Sequence, residues 1–338
     1  MQQAKPLSRL HGLSSLVGNT PLLAIALEYR GRRRTLYAKA EYLNMTGSIK
    51  DRMAYNIMAR GYAGGALIPG APIIEVTSGN TGISFAAIGR ALGHPVTILM
   101  PDWVSRERAM LINGYGAEII FFSKKDGGFT AGISRAQELA GANANAFRPS
   151  QFANEDNSEA HFLTTGPELW RQLQACSLHP DAFVAGVGTG GTVMGCGRFL
   201  RERNPAIRVH PLEPAGFPID HPGCQGKEHR IEGLSDGFLP PILDLDAIDE
   251  MVRVDDGDAI LMAQKLAGQL GLGVGISSGA NLLGALQVQD EMGDQAVVAT
   301  IFADDNKKYL STDLFREVPV REGFRSPAIN LLNLTAVS

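Results

Sequence analysis

The sequence predicts an α/β protein made of two doubly wound domains with mostly parallel sheets. Three observations predict it. Short apolar runs alternate with stretches of helical periodicity through most of the chain, the pattern of strands joined by crossover helices. Two strand-to-helix junctions are loops of small residues, Thr77-Ser78-Gly79-Asn80-Thr81-Gly82 and Gly186-Val187-Gly188-Thr189-Gly190-Gly191-Thr192. The length, 338 residues, is that of about two domains.

Residues 22–29 and 35–42 read as strands on either side of Arg30, Gly31, Arg32, Arg33 and Arg34. This basic cluster is expected as a solvated hairpin turn around Gly31 rather than a binding patch. Ser48 and Asp51 have capping-box spacing, so a helix is expected to start at Ser48, with Ile49, Met53, Ile57 and Met58 as its buried stripe. Residues 73–76 form a strand, 83–92 a helix stopped by Gly93, and 96–100 a strand ending at Pro101. A helix at 106–112, a strand at 118–122 and a helix at 131–140 follow. Residues 183–187 are another buried strand, leading to a helix through Arg203 and a strand at 209–212. The segment 141–157, polar and rich in Ala and Asn, is expected as a domain crossover. The segment 213–241, rich in Gly and Pro, is expected as long functional or capping loops. The last twenty or so residues read as an apolar-polar tail with no role apparent.

Composition narrows the function. At 44% hydrophobic and 20% charged residues the chain is an ordinary soluble globular protein. A net charge of −4 argues against a nucleic-acid footprint. Cys176, Cys196 and Cys224 are odd in number and widely spaced, so neither a disulfide framework nor a zinc site is expected. No metal is expected. No secretory signal and no run of membrane-spanning length appears, and the expected location is the cytoplasm.

Four segments carry the chemistry. Lys50 falls in the first turn of its helix, where the positive end of the helix dipole disfavours a protonated amine. A lysine with a lowered pKa suits Schiff-base chemistry, although from this segment alone an exposed surface lysine near a helix start is the better reading. The loop at 77–82 gathers amides and hydroxyls at a helix N-terminus and suits a carboxylate, with a plain N-cap as the alternative. The loop at 186–192 lets backbone N–H groups approach a phosphate closely. It also matches G-x-G-x-x-G at Gly186, Gly188 and Gly191, with Glu213 after the next strand, so a dinucleotide site stays open. Finally, Gly275-Ile276-Ser277-Ser278-Gly279-Ala280-Asn281 could offer a hydroxyl to a ring nitrogen, but by itself reads better as a helix N-cap before residues 280–287.

Taken together, these segments resemble the fold-type II (tryptophan synthase beta-like) pyridoxal-phosphate enzymes, most closely the cysteine synthase (O-acetylserine sulfhydrylase) and cystathionine beta-synthase family. The resemblance runs from Leu16-Val17-Gly18-Asn19-Thr20-Pro21-Leu22 to Lys308-Tyr309-Leu310-Ser311-Thr312. Between these it passes through Gly47-Ser48-Ile49-Lys50-Asp51-Arg52, Glu107-Arg108, Gln151-Phe152 and Thr164-Thr165-Gly166-Pro167-Glu168. It implies that Lys50 holds pyridoxal 5′-phosphate as a Schiff base and acts as the catalytic base. It implies that Asn80 bonds the ring hydroxyl, that Gly188, Thr189, Gly190, Gly191 and Thr192 bind the phosphate, and that Ser277 rather than Ser278 faces the pyridine nitrogen. Thr77, Ser78, Thr81 and Gln151 would hold the substrate carboxylate.

The reaction so implied is β-replacement on an activated L-serine through an aminoacrylate intermediate, with ping-pong kinetics. The expected pair is O-acetyl-L-serine and sulfide, giving cysteine and acetate. Alternatives are O-phosphoserine, an amine or thiol nucleophile giving diaminopropionate- or cystathionine-type products, or β-elimination as in a desulfhydrase or dehydratase. Residues 51–155 are expected as a small mobile domain, and 1–50 with 156–338 as the large phosphate-binding domain. A homodimer, and a serine acetyltransferase as a weaker partner, follow from the resemblance only. The chain departs from the family pattern at Met45, at Ala303-Asp304-Asp305-Asn306, and at Glu232 and Asp236 in a substrate-facing loop. These departures put the leaving group and nucleophile in doubt and leave the imine chemistry untouched.

Overall fold

A computed structural model of the chain describes residues 6–219 and 229–337. Cys224 and His221 lie outside the described residues. The order of elements is α1 (Pro6–Gly12), β1 (Leu22–Tyr29), β2 (Arg32–Ala40), α2 (Lys50–Ala63), β3 (Ile73–Val76), α3 (Asn80–Leu92), β4 (Val96–Pro101), α4 (Arg106–Gly114), β5 (Glu118–Phe122) and α5 (Gly128–Gly141). Then come α6 (Asp156–Ala160), a π-helical turn (His161–Thr165), α7 (Gly166–Ala175), β6 (Ala182–Gly186), α8 (Gly191–Arg203), β7 (Arg208–Pro214), β8 (Val252–Val254), α9 (Asp256–Leu270), α10 (Ile276–Met292), β9 (Val298–Phe302) and β10 (Ile329–Val337).

Two sheets organise these elements. The larger has seven strands in the order β10-β1-β2-β9-β6-β7-β8, and the smaller has three in the order β3-β4-β5. The large sheet is antiparallel from β10 to β2 and parallel from β2 to β8, and the small sheet is wholly parallel. Alternation along β6 shows why both faces of the large sheet must be covered. Val184 packs with Met262, Leu266 and Leu283 from α9 and α10, whereas Phe183 and Ala185 pack with Leu169, Cys196 and Leu200 from α7 and α8. The small sheet does the same. Ile73 and Ile98 join Met53, Ile57 and Ile88 on one face, and Ile74 and Leu99 join Phe129 and Ala136 on the other. The predicted α/β class with doubly wound, mostly parallel sheets is the observed one.

Three local expectations need correction. Ser48 and Asp51 do not form a capping box: the N-cap of α2 is Ile49, which makes no side-chain cap bond, and Ser48 Oγ only accepts from the Lys50 amide at 3.3 Å. Asp51 instead accepts from the Thr46 amide and hydroxyl, each at 2.6 Å, because the chain folds back through Gly47, whose φ of +78° permits the turn. The basic cluster does form a tight hairpin, with Arg30 and Gly31 at φ +51° and +73°. Arg34, however, is buried rather than solvated, its Nη2 2.7 Å from Asp290 and 2.8 Å from Asp294. The tail is not featureless: β10 pairs along the whole of β1, from Leu22 opposite Val337 to Tyr29 opposite Ile329.

A chain of edge-to-face aromatic contacts runs outward from the region between the sheets. Phe238 meets Phe152 at a centroid distance of 4.9 Å, Phe152 meets Phe129 at 6.1 Å, Phe129 meets Phe122 at 5.6 Å, and Phe122 meets Trp103 at 5.8 Å. No described helix is long and apolar enough to cross a membrane.

Candidate active site

Lys50 opens α2, and the strand β3 delivers the loop at 77–80 to the N-terminus of α3. From the large sheet, β6 delivers the glycine loop to the N-terminus of α8, and α10 begins one residue before Ser277. These ends converge because parallel strands point their carboxyl ends the same way. One cavity is lined by Lys50, Thr77, Ser78, Asn80, Thr81, Gln151, Gly188, Thr189, Thr192 and Ser277. Gly190 and Gly191 shape the glycine loop just behind it.

The Lys50 amine sits deep in this cavity. Burial lowers its pKa, while the carboxylates of Asp304 and Asp236 pull the other way. A lowered pKa favours the neutral amine, the form that is nucleophilic toward an aldehyde.

The glycine loop is a cradle that side chains would fill. A Cβ on Gly188 would collide with the carbonyl of Gly233, and one on Gly191 with the Asn157 side chain. The N-cap of α8, Gly190 at φ +87°, makes no side-chain cap bond, and the Gly191 amide donates to Thr189 Oγ1 at 3.3 Å, so a helix start lined by small residues faces the place of an anion. Asn157 donates to Thr189 Oγ1 at 2.9 Å and fixes that hydroxyl. His161, in the π-helical turn, lies 3.3 Å from Thr192 Oγ1 through Nε2 and 2.9 Å from Thr165 Oγ1 through Nδ1. Burial, then the charges of Arg52 and Lys50, push His161 down to about 3, so the ring is neutral at pH 7. Neither Asn157 nor His161 was singled out from the sequence. A π-helical turn beside a functional loop has no simple sequence signal.

Asn80 donates to Asp304 Oδ2 at 2.8 Å, as does the Tyr309 hydroxyl, while Asn80 Oδ1 is buried without a partner among the described residues. Ser278 is occupied, accepting from the Ala303 amide at 3.0 Å, which leaves Ser277 as the hydroxyl at the cavity wall. In the 77–81 loop Thr77 Oγ1 accepts from Gly79 at 2.9 Å, and Thr81 donates to Gln151 Oε1 at 2.6 Å. Gln151 Nε2 donates to the Val76 carbonyl at 2.5 Å, so both ends of this side chain brace the loop while Nε2 keeps a second N–H.

Glu213 takes no part. It accepts from Ile219 at 2.8 Å, pairs with Arg253 at 2.7 Å and does not line the cavity, so the dinucleotide reading loses its ribose ligand. The remaining wall carries three charges, Arg108, Glu232 and Asp236. Arg108 is buried, lies 4.7 Å over the Tyr309 ring and pairs with Glu232. Burial pushes Asp236 up to about 7, opposed by the charges of Lys50 and Arg108. The sequence flagged both acids as departures in a glycine-bearing loop, but gave Arg108 no role.

A buried amine, a glycine cradle at a helix start and an unpartnered acceptor between them fit a phosphorylated aldehyde cofactor. The chain belongs to the family of pyridoxal-phosphate dependent enzymes, which matches residues 13–304. Within it the chain is an enzyme of the cysteine synthase type. It is 40% identical, over 302 residues covering 89% of this chain and 96% of that protein, to a probable cysteine synthase of Bacillus subtilis (strain 168). Among solved structures, a hydrogen sulfide-producing enzyme from Fusobacterium nucleatum is 50% identical, with a TM-score of 0.93 over 98% of this chain and 99% of that one. A mutant of a hydrogen sulfide-producing enzyme, solved with an α-aminoacrylate intermediate, is 50% identical with a TM-score of 0.94 over 97% and 99% of the two chains. An O-acetylserine dependent cystathionine beta-synthase from Helicobacter pylori is 33% identical, with a TM-score of 0.81 over 90% and 98%. The cofactor is pyridoxal 5′-phosphate and the substrate is an amino acid.

Proposed function

We propose that the enzyme exchanges the β-substituent of a small L-amino acid, with O-acetyl-L-serine and sulfide as the pair that yields cysteine and acetate. The observation that carries this reading is the placement of Lys50 between the 77–81 loop and the 188–192 loop in one cavity. Bound there, the cofactor supplies the electron sink that makes the substrate Cα proton acidic. Thr77, Ser78, Thr81 and Gln151 hold the substrate carboxylate, and Gln151 also braces the loop. Gly188, Thr189, Gly190, Gly191 and Thr192 hold the phosphate, Asn80 bonds the ring hydroxyl, and Ser277 faces the ring nitrogen without protonating it. Lys50 Nζ removes the Cα proton and returns it after the nucleophile has added at Cβ. Asp236, whose proton is exchangeable near neutral pH, gives a proton to the departing group and takes one from the incoming nucleophile.

Asp236 also favours a second reading. A carboxyl poised near 7 can protonate a departing sulfide, and the 50% identical neighbour is named a hydrogen sulfide-producing enzyme. In that reading cysteine is the donor and sulfide the leaving group. Purified protein given O-acetylserine with sulfide, and separately cysteine alone, separates the two when cysteine, sulfide, serine and pyruvate are all measured. Cysteine formation that outruns sulfide release supports synthesis, the reverse supports sulfide production, and no turnover of either donor sinks both. The resemblance further supports 51–155 as the unit that closes over the site, a homodimer, and a serine acetyltransferase as a possible partner class.

A further inference from the structure

The cavity has three polar walls, and two are accounted for by the substrate carboxylate and the phosphate. The third, Arg108, Glu232 and Asp236, remains for the β-substituent. Arg108 looks at first like an anion receptor, since it is buried and its Nε, Nη1 and Nη2 have no hydrogen-bond partner among the described residues. It is not free to act as one. Glu232 pairs with it, and Glu232 Oε2 is itself held at 3.3 Å by the Ser105 amide. The arginine cannot turn away either. Its shaft lies where a Cβ on Gly79 would be, and its guanidinium lies on the Tyr309 ring. With Lys50 committed to the cofactor, this wall holds one cation against two acids. An anionic β-group entering it meets a neutralised arginine and a neighbouring carboxyl, and like charges in a desolvated site discriminate strongly.

Resting on the β-replacement reading, we propose that Glu232, by neutralising Arg108, is a specificity-determining residue that admits neutral or cationic β-substituents and rejects anionic ones such as phosphate or carboxylate. The guanidinium keeps its N–H groups for hydrogen bonding to a neutral oxygen but presents no net charge to attract an anion.

The experiment is a visible-absorption binding titration of the holoenzyme at pH 8 with L-serine, L-2,3-diaminopropionate, L-aspartate and O-phospho-L-serine. It is run on the wild type, Glu232→Gln and Asp236→Asn. The wild type is expected to bind O-phospho-L-serine and L-aspartate about tenfold to a hundredfold more weakly than L-serine, and Glu232→Gln to close most of that gap. Equal binding of all four by the wild type, or a gap that Glu232→Gln leaves unchanged, overturns the proposal. So does a gap closed only by Asp236→Asn, or a band that responds to neither L-serine nor L-2,3-diaminopropionate. The titration requires no turnover. A charge filter in an enzyme that makes no β-replacement product would sink the reaction and leave the filter standing, whereas turnover with tight O-phospho-L-serine binding would do the opposite.

Discussion

Arg52 and Glu168, 116 residues apart, form a two-armed pair, with Nη1 2.8 Å from Oε1 and Nη2 2.8 Å from Oε2. Glu41 takes the other side of the same guanidinium at 2.6 and 2.8 Å, and Lys39 reaches Glu168 at 2.7 Å. The first turn of α2, which carries Lys50, is thereby tied to β2 and α7. Arg52→Ala would leave buried Glu41 without its guanidinium partner and Glu168 with Lys39 alone, and a loss of about 3–5 kcal/mol is expected. Urea unfolding of the variant measures it, and a loss below about 1 kcal/mol would show the network to be dispensable.

Lys50→Ala removes the amine and leaves the cavity walls in place. The variant is expected to keep its far-ultraviolet circular dichroism and to lose activity by at least about a hundredfold. Its cofactor, once added, should show the absorption of the free aldehyde rather than that of a lysine adduct. An adduct band surviving in the variant would move the linkage to another residue.

Asp236 sets a pH dependence. Its proton is held up to about 7, so donation to the leaving group should fade as pH rises through that value, while acceptance from the nucleophile should grow. Half-reaction rates measured from pH 5.5 to 8.5 should bend in opposite senses near 7, and Asp236→Asn should flatten both. Unchanged bends in the variant would assign them to another group.

Glu75 makes a stability prediction with a definite sign. Burial raises its carboxyl to about 7 despite N–H bonds from Val76 at 2.8 Å and Gln151 at 3.0 Å. Its unfolded value is about 4.3. Between those values the native state holds a proton that the unfolded state has lost, so stability falls as pH rises from about 4.3 through about 7. Glu75→Gln should reduce the drop in Tm between pH 5.5 and 8, and a variant with the wild-type slope would contradict the assignment.

Two glycines should respond oppositely to alanine. Gly191→Ala drives a Cβ into Asn157 and should cost both cofactor content and Tm. Gly268→Ala, in the interior of α9 with open space around it, should stabilise by about 0.5–1 kcal/mol. Cofactor absorbance per protein and differential scanning calorimetry check the pair.

What could be read in the sequence was local. Apolar runs gave the strands β3, β4, β6 and β7 because burial on both faces leaves an uninterrupted signal, and gave β5 although this edge strand leaves Phe121 exposed. The two loops were legible because an anion at a helix start needs small residues in a row. Long-range pairing left no such trace. Residues 329–337 look like a tail until β1 is there to bond them, and Ser48 looks like a cap until Thr46 takes the Asp51 carboxylate. Of the charged wall, Glu232 and Asp236 were legible as acids in a substrate-facing loop, but Arg108 was not tied to them, for the same reason. Arg108 and Glu232 are 124 positions apart by their numbering, and only the folded chain makes them a pair.

The aromatic chain from Phe238 to Trp103 has a practical corollary. Phe238 lies two positions after Asp236, and the far end of the series is an indole 39% exposed at the surface. Whatever shifts the acidic loop when a substrate enters must jostle these rings in turn. The chain therefore carries a built-in optical gauge. Trp103 emission should report the state of a site it never touches, with Trp170, packed on His179, as the steady background.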